Sequence, residues 1–145
     1  MDPSSTLYIS YVDSVSHFSG NLSLEAWAIF TTFHTLAHAN NVCIGSSTNN
    51  QAEYDAVIGL IVNSLSHRIL HLHVHLDSLL LIMPLNGVYH VHKKVLFRKY
   101  LRVKLLVHEF ETITFSHVRI AKNKFLATTP NSIMDWHLSH VYPKR

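Results

Sequence analysis

Apolar and polar positions alternate along this chain with two different periods. Residues 7–12, Leu-Tyr-Ile-Ser-Tyr-Val, form a β-rich run that ends on Asp13. Residues 14–24 are polar and turn-like, with Gly20-Asn21 as the hairpin tip. Residues 26–33 predict a second strand, and a third centres on residues 42–44, with Asn40-Asn41 as a turn candidate. The period then lengthens. Ala52, Ala56, Val57, Leu60 and Ile61 recur at helical spacing and predict a helix over 51–65. Thr48 is its expected N-cap, and Gln51, three residues on, completes a capping box.

Residues 69–76 return to strict alternation and end on Asp77. A strand so soon after a helix is the mark of a parallel βαβ connection. Residues 78–83 predict a short helix stopped by Pro84, and Asn86-Gly87 a turn. A second long helix is expected over 96–110. Leu101, Leu105, Val107 and His108 are placed on one side of it, while Arg98, Lys99, Arg102 and Lys104 give it a basic surface. Residues 112–118 predict the fifth strand, and after Pro130 only 133–136 suggests a helical fragment or ordered tail. The order implies an α/β domain: a mixed five-stranded sheet, three antiparallel strands followed by parallel ones, with helices packed on it. The domain is expected over 7–131, with a C-terminal tail over 132–145.

Composition narrows the class. The chain has 145 residues, 48% of them apolar and 14% charged, which suits one domain with a sizeable core. A net charge of +3 permits a polyanionic partner. The single cysteine, Cys43, allows no internal disulfide and fits a reducing compartment. No apolar run reaches 18 residues and the N-terminus has no signal-like pattern, so an intracellular, monomeric protein without a membrane partner is expected. Glycine is scarce at 4 residues and histidine abundant at 13.

The candidate chemistry is acidic. Asp13 and Asp77 each end a predicted strand, and Glu53 breaks an apolar stripe in the first turn of the first long helix. Strand ends on one edge of an α/β sheet converge on a crevice. If the first and fourth strands are parallel neighbours, Asp13 and Asp77 face each other there and Glu53 points in. Three close carboxylates repel and need cations, and Mg²⁺ takes oxygen ligands. The plainer alternative is that acids at strand ends are solvated turn residues.

His71, His73 and His75 share one face of the fourth strand. They could hold zinc, or simply line a half-covered face while Leu70, Leu72, Val74 and Leu76 pack inward. His90 and His92 form a weaker surface pair. Lys93, Lys94, Arg98, Lys99, Arg102 and Lys104 are either a solvated face or a set of contacts to a nucleic-acid backbone.

Several segments, in order, resemble the motifs of type 1 ribonucleases H, in the form carried by LTR-retrotransposon reverse transcriptase polyproteins. Thr48-Asn-Asn-Gln-Ala-Glu53-Tyr54 resembles the signature T-N-N-x-A-E-Y. Tyr11-Val-Asp13-Ser14 resembles a strand ending D-G-S, and His73-Val-His-Leu-Asp77-Ser78 a strand ending D-S. Leu85-Asn-Gly87-Val-Tyr89-His-Val91 is similar to N-G-x-Y-x-V. His117-Val118 and Asn123-Lys124 resemble the last motif, H-V-x-R-x-x-N-x-x-A-D-x-L-A. The resemblance covers residues 7–131.

The resemblance implies a ribonuclease H-like fold and two-metal-ion hydrolysis of the RNA strand of an RNA–DNA hybrid. Mg²⁺ would be the cofactor and Mn²⁺ a substitute. It implies metal ligands at Asp13, Glu53 and Asp77 and a catalytic histidine at His117. It further implies nucleic-acid contacts at Ser14, Asn49, Asn50, Gln51, Ser78 and Asn123. The chain departs from the family in one decisive place. Counting ten residues on from His117 puts Ala127 where the fourth carboxylate belongs. Alternatively, Asn123 to Thr128 is the family's N-x-F-A-D-A-L-A-T with A-D-A deleted. Either way no acid stands there, so impaired cleavage is expected, or a catalytically degenerate binding domain. The glycine after the first aspartate is also replaced, by Ser14, and the usual glutamine after the D-S pair by Leu79.

Overall fold

The computed structural model describes residues 2–15, 23–44, 49–76, 79–87 and 93–118, with backbone alone at 13–15, 23–25, 41–44, 49, 50, 79, 80 and 83. After a 3₁₀ turn at Pro3–Ser5 the elements are β1 (Leu7–Val15), β2 (Ser23–Thr31), β3 (Leu36–Ile44), α1 (Asn49–Ser66), β4 (His71–Leu76), α2 (Leu79–Leu85), α3 (Lys94–Val107) and β5 (Thr112–His117). The five strands form one sheet in the order β3-β2-β1-β4-β5. β1, β2 and β3 pair antiparallel, and β1, β4 and β5 parallel. The expected α/β architecture, three antiparallel strands followed by parallel ones, is therefore what the chain adopts. The hairpin tip at Gly20-Asn21, the Thr48 cap and the boundary at 131 lie outside the described residues. Among the described residues no helix is long and apolar enough to cross a membrane.

Strand alternation decides which face holds the helices. Val12 of β1, Trp27 and Ile29 of β2, Leu72, Val74 and Leu76 of β4 and Phe115 of β5 form one buried cluster with Tyr54, Val57, Leu60 and Ile61 of α1. Val103 of α3 and Leu81 and Ile82 of α2 join it. Gly59 lets α1 come close to the sheet: a Cβ there would sit 3.2 Å from the Trp27 indole nitrogen. The opposite face carries a smaller cluster of Tyr11, Ala28 and Phe30, with Ile9, Leu36, Ala39 and Val118 packed against it.

Several local expectations are corrected. β1 does not end at Asp13 but continues to Val15, because β2 pairs with it through Asp13↔Ala26, Ser14↔Glu25 and Val15↔Leu24. Asn40 and Asn41 are not a turn. They sit inside β3, paired with Trp27 and Ala26, where ladder hydrogen bonds override weak strand propensity. Pro84 does not stop α2 but lies within its last turn, where its fixed φ fits and only one helical hydrogen bond is forgone. In α3, Leu101 and Leu105 are exposed, at 43% and 70%. The inward stripe is Leu96, Tyr100, Val103 and Val107, at true helical spacing. Lys99 on α3 pairs with Asp55 of α1 at 2.5 Å and helps to set that rotation.

Glycine scarcity shows at the end of α1. Arg68 adopts φ +60°, the left-handed conformation usually left to glycine. Arg68 N–H donates to Leu65 O at 3.1 Å and Ile69 N–H to Ser64 O at 2.9 Å, the paired bonds of a Schellman end. Buried Ile69 then leads into β4. Arg68→Gly is expected to stabilise the fold by about 0.5–1 kcal/mol, read as a higher urea midpoint at unchanged m-value. A lower midpoint would mean that the arginine makes contacts worth more than the backbone strain.

Candidate active site

The C-terminal ends of the parallel strands β1, β4 and β5 lie on one edge of the sheet. Tyr11 of β1 pairs with His75 of β4, and Leu76 of β4 pairs with His117 of β5. Asp13 follows Tyr11 by two residues, and in sequence Asp77 follows Leu76 directly. The first condition on the acidic site is met, since β1 and β4 are parallel neighbours. With strands about 4.8 Å apart, His117 stands about 10 Å from β1, on the far side of β4.

The expected site residues divide as follows. Asp13 and Ser14 have extended backbone within β1. Asn49 and Asn50 open α1, and Gln51 follows, partly buried. Glu53 is partly buried between Ala52 and Tyr54, which are 0% and 1% exposed. α1 packs on β2 and touches β1, so Glu53 is carried on the helix beside the strand that holds Asp13. His117 is partly buried at the end of β5. Asp77, Ser78, Asn123 and Ala127 lie outside the described residues. Among the described residues no three His, Cys, Asp or Glu side chains cluster as a metal site.

Toward the middle of the sheet, on the face opposite the helices, runs a row of rings. The His75 ring stacks on Tyr11 with centroids 4.8 Å apart and planes 15° apart. His73 meets His75 edge-on at 4.5 Å, and Tyr11 meets Phe30 edge-on at 5.7 Å. His73 bonds Thr114 on β5, and His71 bonds Thr112 at 2.8 Å and reaches Glu111 at 3.2 Å. The histidines thus line a half-covered face while the leucines and valine pack inward, the plainer of the two expectations. Sequence alternation identified the histidine face. Its stacking partner Tyr11 depends on the β1–β4 register, which no single strand encodes.

Burial, reinforced by neighbouring His73, pushes the His75 pKa down to about 4, and burial lowers that of His73 as well. Folded His75 therefore holds its proton less tightly than the unfolded chain, whose histidines titrate near 6.5. The stability of the neutral, stacked form is complete above that value and lost as pH falls from 6.5 toward 4. The ring is only partly buried, so solvent screening limits the loss to about 1–2 kcal/mol. Urea midpoints at pH 7.5 and 4.5 measure it, and His75→Phe, which keeps a stacked ring, should flatten the difference. An equal loss in His75→Phe would place the titration elsewhere.

The basic residues are not equivalent. Lys93, Lys94, Arg98 and Arg102 are exposed, Lys104 is partly buried and Lys99 is held by Asp55. A half-buried surface pair of this kind contributes about 1 kcal/mol, but it takes Lys99 out of the open basic face.

Comparison with known proteins agrees with this architecture. Ribonuclease HI of Halobacterium salinarum is 26% identical over 126 residues, 87% of this chain, and the chain spans 63% of that relative's length. The crystal structure of RNase H1 from the same archaeon superposes with a TM-score of 0.73, covering 89% of this chain and 98% of that one. LC11-RNase H1, solved in complex with an RNA/DNA hybrid, is 25% identical with a TM-score of 0.71, covering 91% and 99% of the two chains. The foamy viral protease-reverse transcriptase, at 12% identity and a TM-score of 0.66, shares the fold over 96% of this chain and 20% of its own. A family model described as reverse transcriptase-like matches residues 13–132, and the chain accordingly belongs to the reverse transcriptase-like family of ribonuclease H-type domains.

Proposed function

We propose that the C-terminal edge of β1, β4 and β5 is a metal-dependent nuclease site. It cleaves the RNA strand of an RNA–DNA hybrid by endonucleolytic hydrolysis, and it is weakened by the missing fourth carboxylate. The observation that carries this is the register Tyr11↔His75, which brings together two strand segments that each lead to an aspartate two residues on. The Halobacterium salinarum ribonuclease HI and the hybrid-bound LC11-RNase H1 support the reaction and the substrate.

Asp13, Glu53 and Asp77 would hold Mg²⁺, or Mn²⁺ in its place. The set fits a hard cation: its donors are all carboxylate oxygens, and Glu53 is partly buried on α1. A divalent cation bound there supplies charge neutralisation at the scissile phosphate and activation of water. The protein's own groups position the rest. The three carboxylates fix the edge against which the phosphate is aligned. His117, across β4, is the imidazole suited to carry a proton to or from the leaving oxygen. Ser14, Asn49, Asn50, Gln51, Ser78 and Asn123 bind the hybrid through backbone and 2′-hydroxyl contacts, and Arg98 and Arg102 add exposed positive charge. The fold shared with the foamy viral protease-reverse transcriptase supports a setting beside a reverse transcriptase, as in retrotransposon polyproteins.

Three carboxylates in place of four leave the second cation the less well held. Titration with Mn²⁺, followed by loss of the free-ion EPR signal, is expected to count one ion bound more tightly than a second. Glu53→Gln should weaken both. Two equally tight ions in the unaltered protein would contradict the impairment, and unchanged binding in Glu53→Gln would contradict the site. A second reading follows from the same missing acid: hybrid binding retained without cleavage.

A further inference from the structure

One pair of side chains lies away from this edge and has no part in it. His38 is carried by β3, the outer strand of the sheet, and His67 is the capping residue at the C-terminal end of α1. Their rings face one another with centroids 3.9 Å apart and planes 36° apart. We propose that His38 and His67 form a two-histidine site for a borderline divalent transition-metal ion of the Zn²⁺, Ni²⁺ or Cu²⁺ class, which ties the edge strand β3 to the end of α1.

The hydrogen bonds around His67 fix its tautomer. The Ser66 hydroxyl donates to Asn63 O at 2.7 Å, which leaves its oxygen as an acceptor. His67 Nδ1 lies 2.9 Å from Asn63 O and 3.3 Å from Ser66 Oγ. A carbonyl only accepts, so Nδ1 carries the proton and Nε2 presents its lone pair. A ring N–H held by a backbone carbonyl is the arrangement that orients metal-binding histidines. The Schellman end of α1 holds this residue rigidly in place.

His38 completes the pair. Burial, and then the neighbouring His67, lower its pKa, so the imidazole is neutral and able to ligate at pH 7. Two imidazoles on a tetrahedral ion at about 2.0–2.1 Å have ring centroids about 5 Å apart, so the His38 ring swings out of the tilted stack by about 1 Å as the ion enters. The C-terminal end of α1 adds partial negative charge that favours a cation. His67 is exposed, so water completes the coordination. Imidazoles select against Mg²⁺, which separates this site from the carboxylate edge. The histidine row on β4 is the weaker competitor, because the Nδ1 atoms of His71 and His73 are engaged by threonines and His71 Nε2 by Glu111.

The test is calorimetric titration of the folded protein with Ni²⁺ in excess Mg²⁺, repeated for His38→Gln, His67→Gln and His73→Gln. One ion per chain is expected, with affinity reduced at least about tenfold in either of the first two variants and unchanged in the third. Because His67 is exposed, His67→Gln keeps the fold and decides alone if His38→Gln does not fold. Affinity within twofold of the unaltered protein in His67→Gln, or affinity lost in His73→Gln, would overturn the proposal.

Discussion

Ala127→Asp is expected to raise Mg²⁺-dependent cleavage of an RNA–DNA hybrid by at least about tenfold, and up to about a hundredfold. A group that stabilises charge only in the transition state is worth about 10²–10³ in rate when removed, and a returned carboxylate recovers part of that. The added acid would compensate a second cation that Asp13, Glu53 and Asp77 hold poorly among themselves. Single-turnover cleavage of a labelled hybrid measures the gain. Because the motif can also be aligned with three residues deleted, insertion of Ala-Asp-Ala between Phe125 and Leu126 is the companion variant. One of the two should show the gain. A gain in neither would mean that the missing acid is not what limits the site.

The second large effect concerns β4. Val74→Asp is expected to abolish folding, whereas His73→Val is tolerated. Val74 is 0% exposed at the centre of the sheet, between Ser10 of β1 and Phe115 of β5. An unpaired carboxylate there costs more than about 4 kcal/mol, a large share of the roughly 5–15 kcal/mol that holds a domain of this size together. His73 lies on the half-covered face, and a β-branched residue suits that position. Far-UV circular dichroism and urea unfolding of the two variants measure the contrast. A folded Val74→Asp protein would contradict the assignment of faces.

That strand also shows why much of the fold was legible. In residues 71–76 each apolar residue is followed or preceded by a histidine, so a period of two leaves one choice of face. The stripe from Ala52 to Ile61 defined α1 in the same way. Legibility failed where tertiary pairing overrode local preference. Asn40 and Asn41 look like a turn, yet β2 supplies their ladder. Residues 13–15 look like a strand end, yet β2 extends it. The end of α1 carries no glycine, so the Schellman turn at Arg68 left no mark in the sequence. In α3 the difference is one of phase. Leu96, Tyr100, Val103 and Val107 form the inward stripe, while Leu101 and Leu105, equally apolar, fall on the exposed side.

The candidate site was legible through its spacing rather than its composition. Asp13, Glu53 and Asp77 are 3 of 9 acidic residues, and nothing but their placement distinguishes them. The parallel pairing of β1 with β4 gives that placement its meaning. The Tyr11–His75 stack and the His38–His67 pair were not legible. Each joins side chains from two elements whose register or packing no local pattern encodes.

The most direct test of the central proposal is cleavage of an end-labelled RNA–DNA hybrid in Mg²⁺, then in Mn²⁺, by the unaltered protein and by Asp77→Asn. Slow cleavage confined to the RNA strand, supported by either ion and absent from Asp77→Asn, is the predicted result. Cleavage undiminished in Asp77→Asn, or no cleavage with either ion, would contradict a working site at the end of β1, β4 and β5.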